Sequence, residues 1–201
     1  MTSCIVVCFG ICALMAFILG PSKSGKKNYK LESISKLGKE YCEANNMNTD
    51  FCILIDMSIH SGKNRFFIYD LNSNLIIKQC LVSHGCGENT WSMDDSKTSP
   101  SFSNIQDSHL SSLGKYKIGE RGHSSFGVHV KYLLHGLDKT NSNACKRDIV
   151  FHSWSAISNQ EVYPGGTPEG WGCPSISNDN FNYVDKLLKN QTKPTLMWIY
   201  K

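Results

Sequence analysis

Two short stretches of the chain pair a thiol with an imidazole, the combination a cysteine nucleophile requires. The first is VSHGCGEN, residues 82–89, with His84 two residues before Cys86 on a glycine-flexed turn. The second is PEGWGCPSIS, residues 168–177, which carries Cys173, with FHSW at 151–154 supplying His152 upstream. A catalytic thiol needs an imidazole to take its proton, a third group to fix that ring, and backbone N–H donors for the oxyanion. Cys173 meets these needs. Gly170, Trp171 and Gly172 allow a sharp turn that aims successive N–H groups at one point, and Pro174 stiffens the chain after the thiol. His152 ends an apolar run, where a strand would hold the ring, and Ser153 stands beside it to orient the imidazole through its carbonyl or hydroxyl. At residues 84 and 86 an extended chain points both side chains the same way and supplies no third partner. The bland reading there is a strand that ends in a glycine-rich turn.

The elements that must position these residues read as a mainly β domain with two helices. Leu31, Ile34, Leu37, Tyr41 and Cys42 recur at helical spacing within Leu31–Asn46. Short strands follow at 51–57, 65–70 and 75–82, the last two joined as a hairpin by LNSN. KYKIG, the alternating FGVHVKYLL and DIVFHS read as further strands. Ser177 or Asn178 caps a second helix carrying Phe181, Val184, Leu187 and Leu188, and TLMWIY closes the chain as a strand.

At 201 residues the chain has room for one domain with a substantial core. Residues 1–20 are apolar and uncharged, and read as an export signal, cleaved or retained, or a short membrane anchor. Residues 21–30 read as a polar linker, and 31–201 as the catalytic domain. The near phosphate-binding loop from Gly20 to Lys26 has Lys27 where Ser or Thr would hold magnesium, so the linker reading stands. A net charge of +4, with no run of like charge longer than a pair, argues against a nucleic-acid-binding surface. With no C-x-x-C or H-E-x-x-H spacing, neither a metal nor a cofactor is expected. Beyond the leader, Cys42, Cys52, Cys80, Cys86 and Cys145 remain beside Cys173, and their pairing is left open.

FHSW followed by GWGCPSIS, together with FSNIQDSHLSSLGKYKIGE (102–120), GLDKTNSNA (136–144) and the final apolar strand, resembles the murein L,D-transpeptidase catalytic family, in the branch that writes its nucleophile S-W-G-C-P. The resemblance covers about Cys52 to Tyr200. It implies a curved β-sandwich with an N-terminal helix and a helix after the nucleophile loop, and a thiol acyltransferase acting on peptidoglycan stem peptides in the periplasm or cell envelope. By this resemblance Cys173 is the nucleophile, His152 the base and Ser153 the residue whose carbonyl orients the ring. Trp171, Gly172 and Cys173 supply the oxyanion N–H groups, and Tyr116, His135 and Trp171 are candidate substrate contacts. The better-known branch spells its nucleophile S-H-G-C, as residues 83–86 do, but late in the domain, so Cys86 is read as a look-alike. The chain departs from the family pattern in having Ser153 for Gly, Gly170 for Ser and Glu169 for Arg, which leaves Lys131 or Arg147 as the candidate cation for a substrate carboxylate.

Two other functions compete. A non-catalytic wall-binding module on the same fold would need neither thiol nor imidazole. A papain-like or other cysteine hydrolase would place its cysteine before its histidine, the reverse of the order here.

Overall fold

The structure, a computed structural model, describes residues 29–201. The leader and most of the expected linker lie outside the described residues. Among the described residues no helix is long and apolar enough to cross a membrane.

The chain opens with α1 (Tyr29–Ala44), which starts two residues before the expected boundary. Its buried positions Leu31, Ser35, Gly38 and Cys42 fall on one face. The sheet strands are β1 (Phe51–Asp56), β2 (Phe66–Asp70), β3 (Leu75–Cys80), β4 (Gly114–His123), β5 (Val130–Gly136), β6 (Val150–Ser153), β7 (Ser175–Ile176) and β8 (Leu196–Tyr200). The second helix, α2 (Asn178–Lys189), has Ser177 at its N-cap as expected. The strands form one sheet in the order β3-β2-β1-β8-β4-β5-β6-β7, antiparallel except for the β1–β8 and β6–β7 pairs.

The closing strand β8 therefore sits in the middle of the sheet, which explains why TLMWIY is apolar along its whole length: both faces are covered. Ile53 and Ile55 of β1, Met197 and Ile199 of β8 and Phe151 of β6 point into one core, where Phe181 and Val184 of α2 meet them. Cys52 and Leu54 of β1 and Leu196 of β8 point the other way and pack under α1 with Leu31 and Cys42. The two layers of the expected sandwich are thus the two ends of one hydrogen-bonded sheet that bends around a shared core.

One expected strand starts later than its pattern implies. The alternation in FGVHVKYLL places Phe126 and Val128 in a strand, but Gly127 and His129 have φ of 56° and 60°, and β5 begins only at Val130. That turn exposes Phe126 and brings it against His152, with ring centroids 5.3 Å apart. Helix α2 is tied to the sheet by Asp185. Its carboxylate takes hydrogen bonds from Arg121 Nε (2.8 Å) and the Tyr132 hydroxyl (2.7 Å), and pairs with Lys189 Nζ at 3.0 Å. Burial pushes the Asp185 pKa up, but these three donors outweigh it and hold the group down at about 2.

Candidate active site

The parallel β6–β7 pair sets His152 opposite Ser175 and Ser153 opposite Ile176. Because β7 follows Cys173 closely, the thiol is delivered to the edge of the strand that bears the imidazole. His152 Nδ1 lies 3.0 Å from the Ser153 carbonyl, which can only accept, so Nδ1 carries the proton and Nε2 keeps its lone pair. That lone pair accepts from the Ser175 hydroxyl at 2.9 Å. Burial pushes the His152 pKa down, the Ser153 carbonyl opposes this, and Lys131, its cross-strand partner, pushes it further down. The ring is thereby kept neutral, the form a general base needs.

Cys173 Sγ accepts from the Val150 N–H at 3.4 Å and lies 3.7 Å from the Asp148 carbonyl. Burial raises the thiol pKa, while the Val150 N–H, Arg147 and Lys131 each favour the thiolate. Among the described residues the N–H groups of Trp171, Gly172 and Cys173 have no hydrogen-bond acceptor. Gly172 adopts φ of +100°, and a Cβ there would fall 2.6 Å from the Leu110 carbonyl oxygen, so only glycine fits this turn. His152, Ser175 and Cys173 form the floor of a small cleft of about 120 Å³, walled by Trp91, Trp154, Trp171 and Phe126. Trp91 stacks on Trp154 at 5.3 Å, and the exposed Trp171 stacks on His109 at 5.2 Å. The arrangement offers a thiol, a base of fixed tautomer, unpaired N–H donors and an aromatic wall.

The early motif holds this loop in place. Gly85 bridges Gly170, with Gly170 N–H donating to the His84 carbonyl and Cys86 N–H to the Gly170 carbonyl, each at 2.8 Å. Ser83 N–H donates to the Ser175 carbonyl at 2.9 Å, and Ser111 Oγ links Gly85 N–H to the Gly172 carbonyl. Cys86 is buried, among the described residues its Sγ makes one hydrogen-bonding contact, to the Gly87 carbonyl, and burial raises its pKa. His84 faces elsewhere. Its Nδ1 accepts from Arg65 at 2.8 Å, and its Nε2–H therefore donates toward Ser96 Oγ, 2.8 Å away.

A model of the L,D-transpeptidase catalytic domain matches residues 25–200. The chain belongs to this family. No curated protein matches it by sequence. Among solved structures, Bd1075 of Bdellovibrio bacteriovorus is 16% identical, with 79% of this chain and 50% of that chain covered and a TM-score of 0.45. An L,D-transpeptidase from Xylanimonas cellulosilytica is 13% identical over 80% of this chain and 68% of that one, with a TM-score of 0.41. The helical cell shape determining protein Pgp2 of Campylobacter jejuni is 10% identical over 81% and 55%, with a TM-score of 0.46. This chain thus spans about half the length of the Bdellovibrio and Campylobacter proteins.

The structure shows how the departures from the L,D-transpeptidase pattern are absorbed. Ser153 carries a hydroxyl that the pattern's glycine lacks; it accepts from the Val128 N–H at 2.9 Å and fills the space left by Gly127, where a Cβ would meet it at 2.0 Å. Glu169 is fully buried. Its carboxylate accepts from the Ser96 N–H at 2.6 Å and the Ser96 hydroxyl at 2.9 Å, and lies 3.5 Å from His84 Nε2. With the buried Arg65 and His84 it forms an internal polar network, and it does not line the cleft.

Of the two candidate cations, Arg147 spends its guanidinium on Ser103, Ser108, Leu110 and Ser112, bracing the 103–112 loop. Lys131 lies opposite His152 across the strands, and its ammonium has no hydrogen-bond or ion-pair partner among the described residues. Of the expected substrate contacts, only Trp171 lines the cleft. Tyr116 is fully buried with its hydroxyl on the Ser112 carbonyl, and His135 turns to Cys145 and Glu120. Sequence reasoning missed Ser175, which the two-residue period after Cys173 would have revealed, and the walls Trp91, a large ring in a polar, turn-rich stretch, and Phe126, which falls in an alternation read as a strand.

Proposed function

We propose that the protein is a peptidoglycan-processing cysteine acyltransferase, with Cys173 as nucleophile and His152 as general base. The observation that carries this reading is the hydrogen bond from His152 Nδ1 to the Ser153 carbonyl, which leaves a basic nitrogen on the floor of the cleft that holds the thiol. The Cys173 proton passes to Nε2, and the sulfur attacks the carbonyl between the L-centre of the diamino acid and the terminal D-alanine of a stem tetrapeptide. The unpaired N–H groups of Trp171, Gly172 and Cys173 receive the oxyanion. The imidazolium protonates the departing D-alanine amine, leaving a thioester. The amine of a neighbouring stem then attacks to form a 3-3 cross-link and releases the thiol; water in its place gives an L,D-carboxypeptidase. Lys131, unpaired beside His152, holds the substrate carboxylate. Such an enzyme works outside the cytoplasmic membrane, in keeping with the apolar leader.

The test is intact-mass spectrometry of the full chain after incubation with a disaccharide tetrapeptide or a carbapenem. A covalent adduct on the wild type that is lost in Cys173→Ala and kept in Cys86→Ala supports the assignment. An adduct lost only in Cys86→Ala transfers the chemistry to the early motif, and no adduct at all favours the wall-binding module.

A further inference from the structure

A thiol–imidazole–carboxylate array lies outside the residues that line the cleft, with Glu120 on β4, His135 on the paired strand β5 and Cys145 in the turn between β5 and β6. Cys145 Sγ is 3.3 Å from His135 Nδ1, and His135 Nε2 is 3.0 Å from Glu120 Oε2. The carboxylate only accepts, so Nε2 carries the ring proton and the Nδ1 lone pair faces the thiol. The ring has a seat of its own: Gly119 lies at the irregularity in β4 between Ile118 and Arg121, and a Cβ there would come within 2.3 Å of His135 Nε2. Thiol and carboxylate sit on opposite edges of one ring, an arrangement that moves a proton and cannot chelate an ion. Among the described residues no group of three potential ligands is disposed to hold a metal.

The other cysteines sharpen the contrast. None of the six described cysteines is in a disulfide, and Cys145 alone is exposed. Cys42, Cys52, Cys80 and Cys86 are buried, and burial lifts the first to about 11 and the third to about 12. Cys173 is half-buried under aromatic walls and has no imidazole within hydrogen-bonding distance of its sulfur.

We propose that Cys145, activated by His135, is a thiol-exchange site that takes up low-molecular-weight disulfides as a mixed disulfide. The Cys145 proton passes to His135 Nδ1, and the thiolate attacks one sulfur of the disulfide. A new S–S bond forms to Cys145 as the reagent's own S–S bond breaks, and the departing thiolate collects the proton from the imidazolium. The cysteine is oxidised and the leaving half of the reagent is reduced, so no further oxidant is needed. The site is independent of the acyl-transfer reading above.

The experiment is a time course of the full chain with oxidised glutathione, followed by peptide mapping of each cysteine. Cys145 is expected to react about tenfold faster than the same cysteine in a free peptide of residues 142–148, and about tenfold faster than Cys173. His135→Asn and His135→Gln are expected to bring the Cys145 rate down to that of the peptide. Absence of label at Cys52 and Cys80 shows that each variant is folded. A wild-type Cys145 rate no higher than the peptide's, or a rate unchanged in both folded His135 variants, overturns the proposal.

Discussion

The segments 83–86 and 170–173 lie side by side, joined by the Gly85–Gly170 bridge, and each holds a cysteine near a histidine in the sequence or the fold. Their surroundings set them apart. At Cys173 the imidazole comes from a different strand, its tautomer is fixed by a carbonyl, and its second nitrogen faces an apolar-walled cleft. At Cys86 the nearby imidazole is turned inward and committed to Arg65 and Ser96, and the thiol is left with one carbonyl. A cysteine two residues from a histidine does not by that spacing make a catalytic pair; at Cys173 neighbouring strands bring the thiol and a ring of fixed tautomer to the floor of one cleft.

Breaking the site at Cys173 should have the largest effect. Cys173→Ala is expected to abolish acylation and His152→Ala to lower its rate by about 10³-fold, both read from the rate of adduct formation. Next comes the network that holds the early motif against the 170–173 segment. Glu169→Ala leaves the Ser96 N–H without its acceptor and removes one of the two carboxylates, Glu169 and Asp56, that favour the charge on buried Arg65; it is expected to cost about 1–3 kcal/mol in urea unfolding, even though Glu169 does not line the cleft. Lys131→Ala should raise the KM for the tetrapeptide about fivefold with kcat little changed, the signature of weakened substrate binding.

A smaller effect involves, through pH, the histidine beside each cysteine. His84 and His152 each have a folded pKa held below the ordinary value, chiefly by burial. Above a pH of about 6.5 both are neutral, folded or unfolded, and the stability is fully present. As pH falls below that value the unfolded chain takes up protons that the folded chain resists, so the denaturation midpoint should drop. His84→Gln should remove part of that slope. The smallest change is expected from Cys86→Ser, which should leave the acylation rate within about twofold, because its Sγ serves no proton transfer.

Much of this is legible in the chain. The apolar period of α1, the cap at Ser177 and the hairpin through LNSN all depend on local spacing, and the mainly β fold with two helices follows from the run of such elements; FHSW and GWGCPSIS stand out together by their resemblance to a family pattern. The start of β5 is not legible, because alternation survives across Phe126–Tyr132 while the positive φ at Gly127 and His129 breaks the strand. Nor is the place of Glu169. In the sequence it stands where the family pattern has a cation for the substrate carboxylate, whereas in the fold its own carboxylate is consumed by Ser96 and His84, residues more than seventy positions away.

The sequence by itself determined which residue types could do chemistry and which local elements would carry them, because side-chain period, capping and glycine turns act over a few residues. Only the tertiary structure decided which histidine lies beside which cysteine. Non-local pairing brings Ser175 to His152 and Gly170 to Gly85, the turn between β5 and β6 folds Cys145 back onto His135, and the direction of a lone pair is set by the carbonyl, guanidinium or carboxylate that occupies the other ring nitrogen.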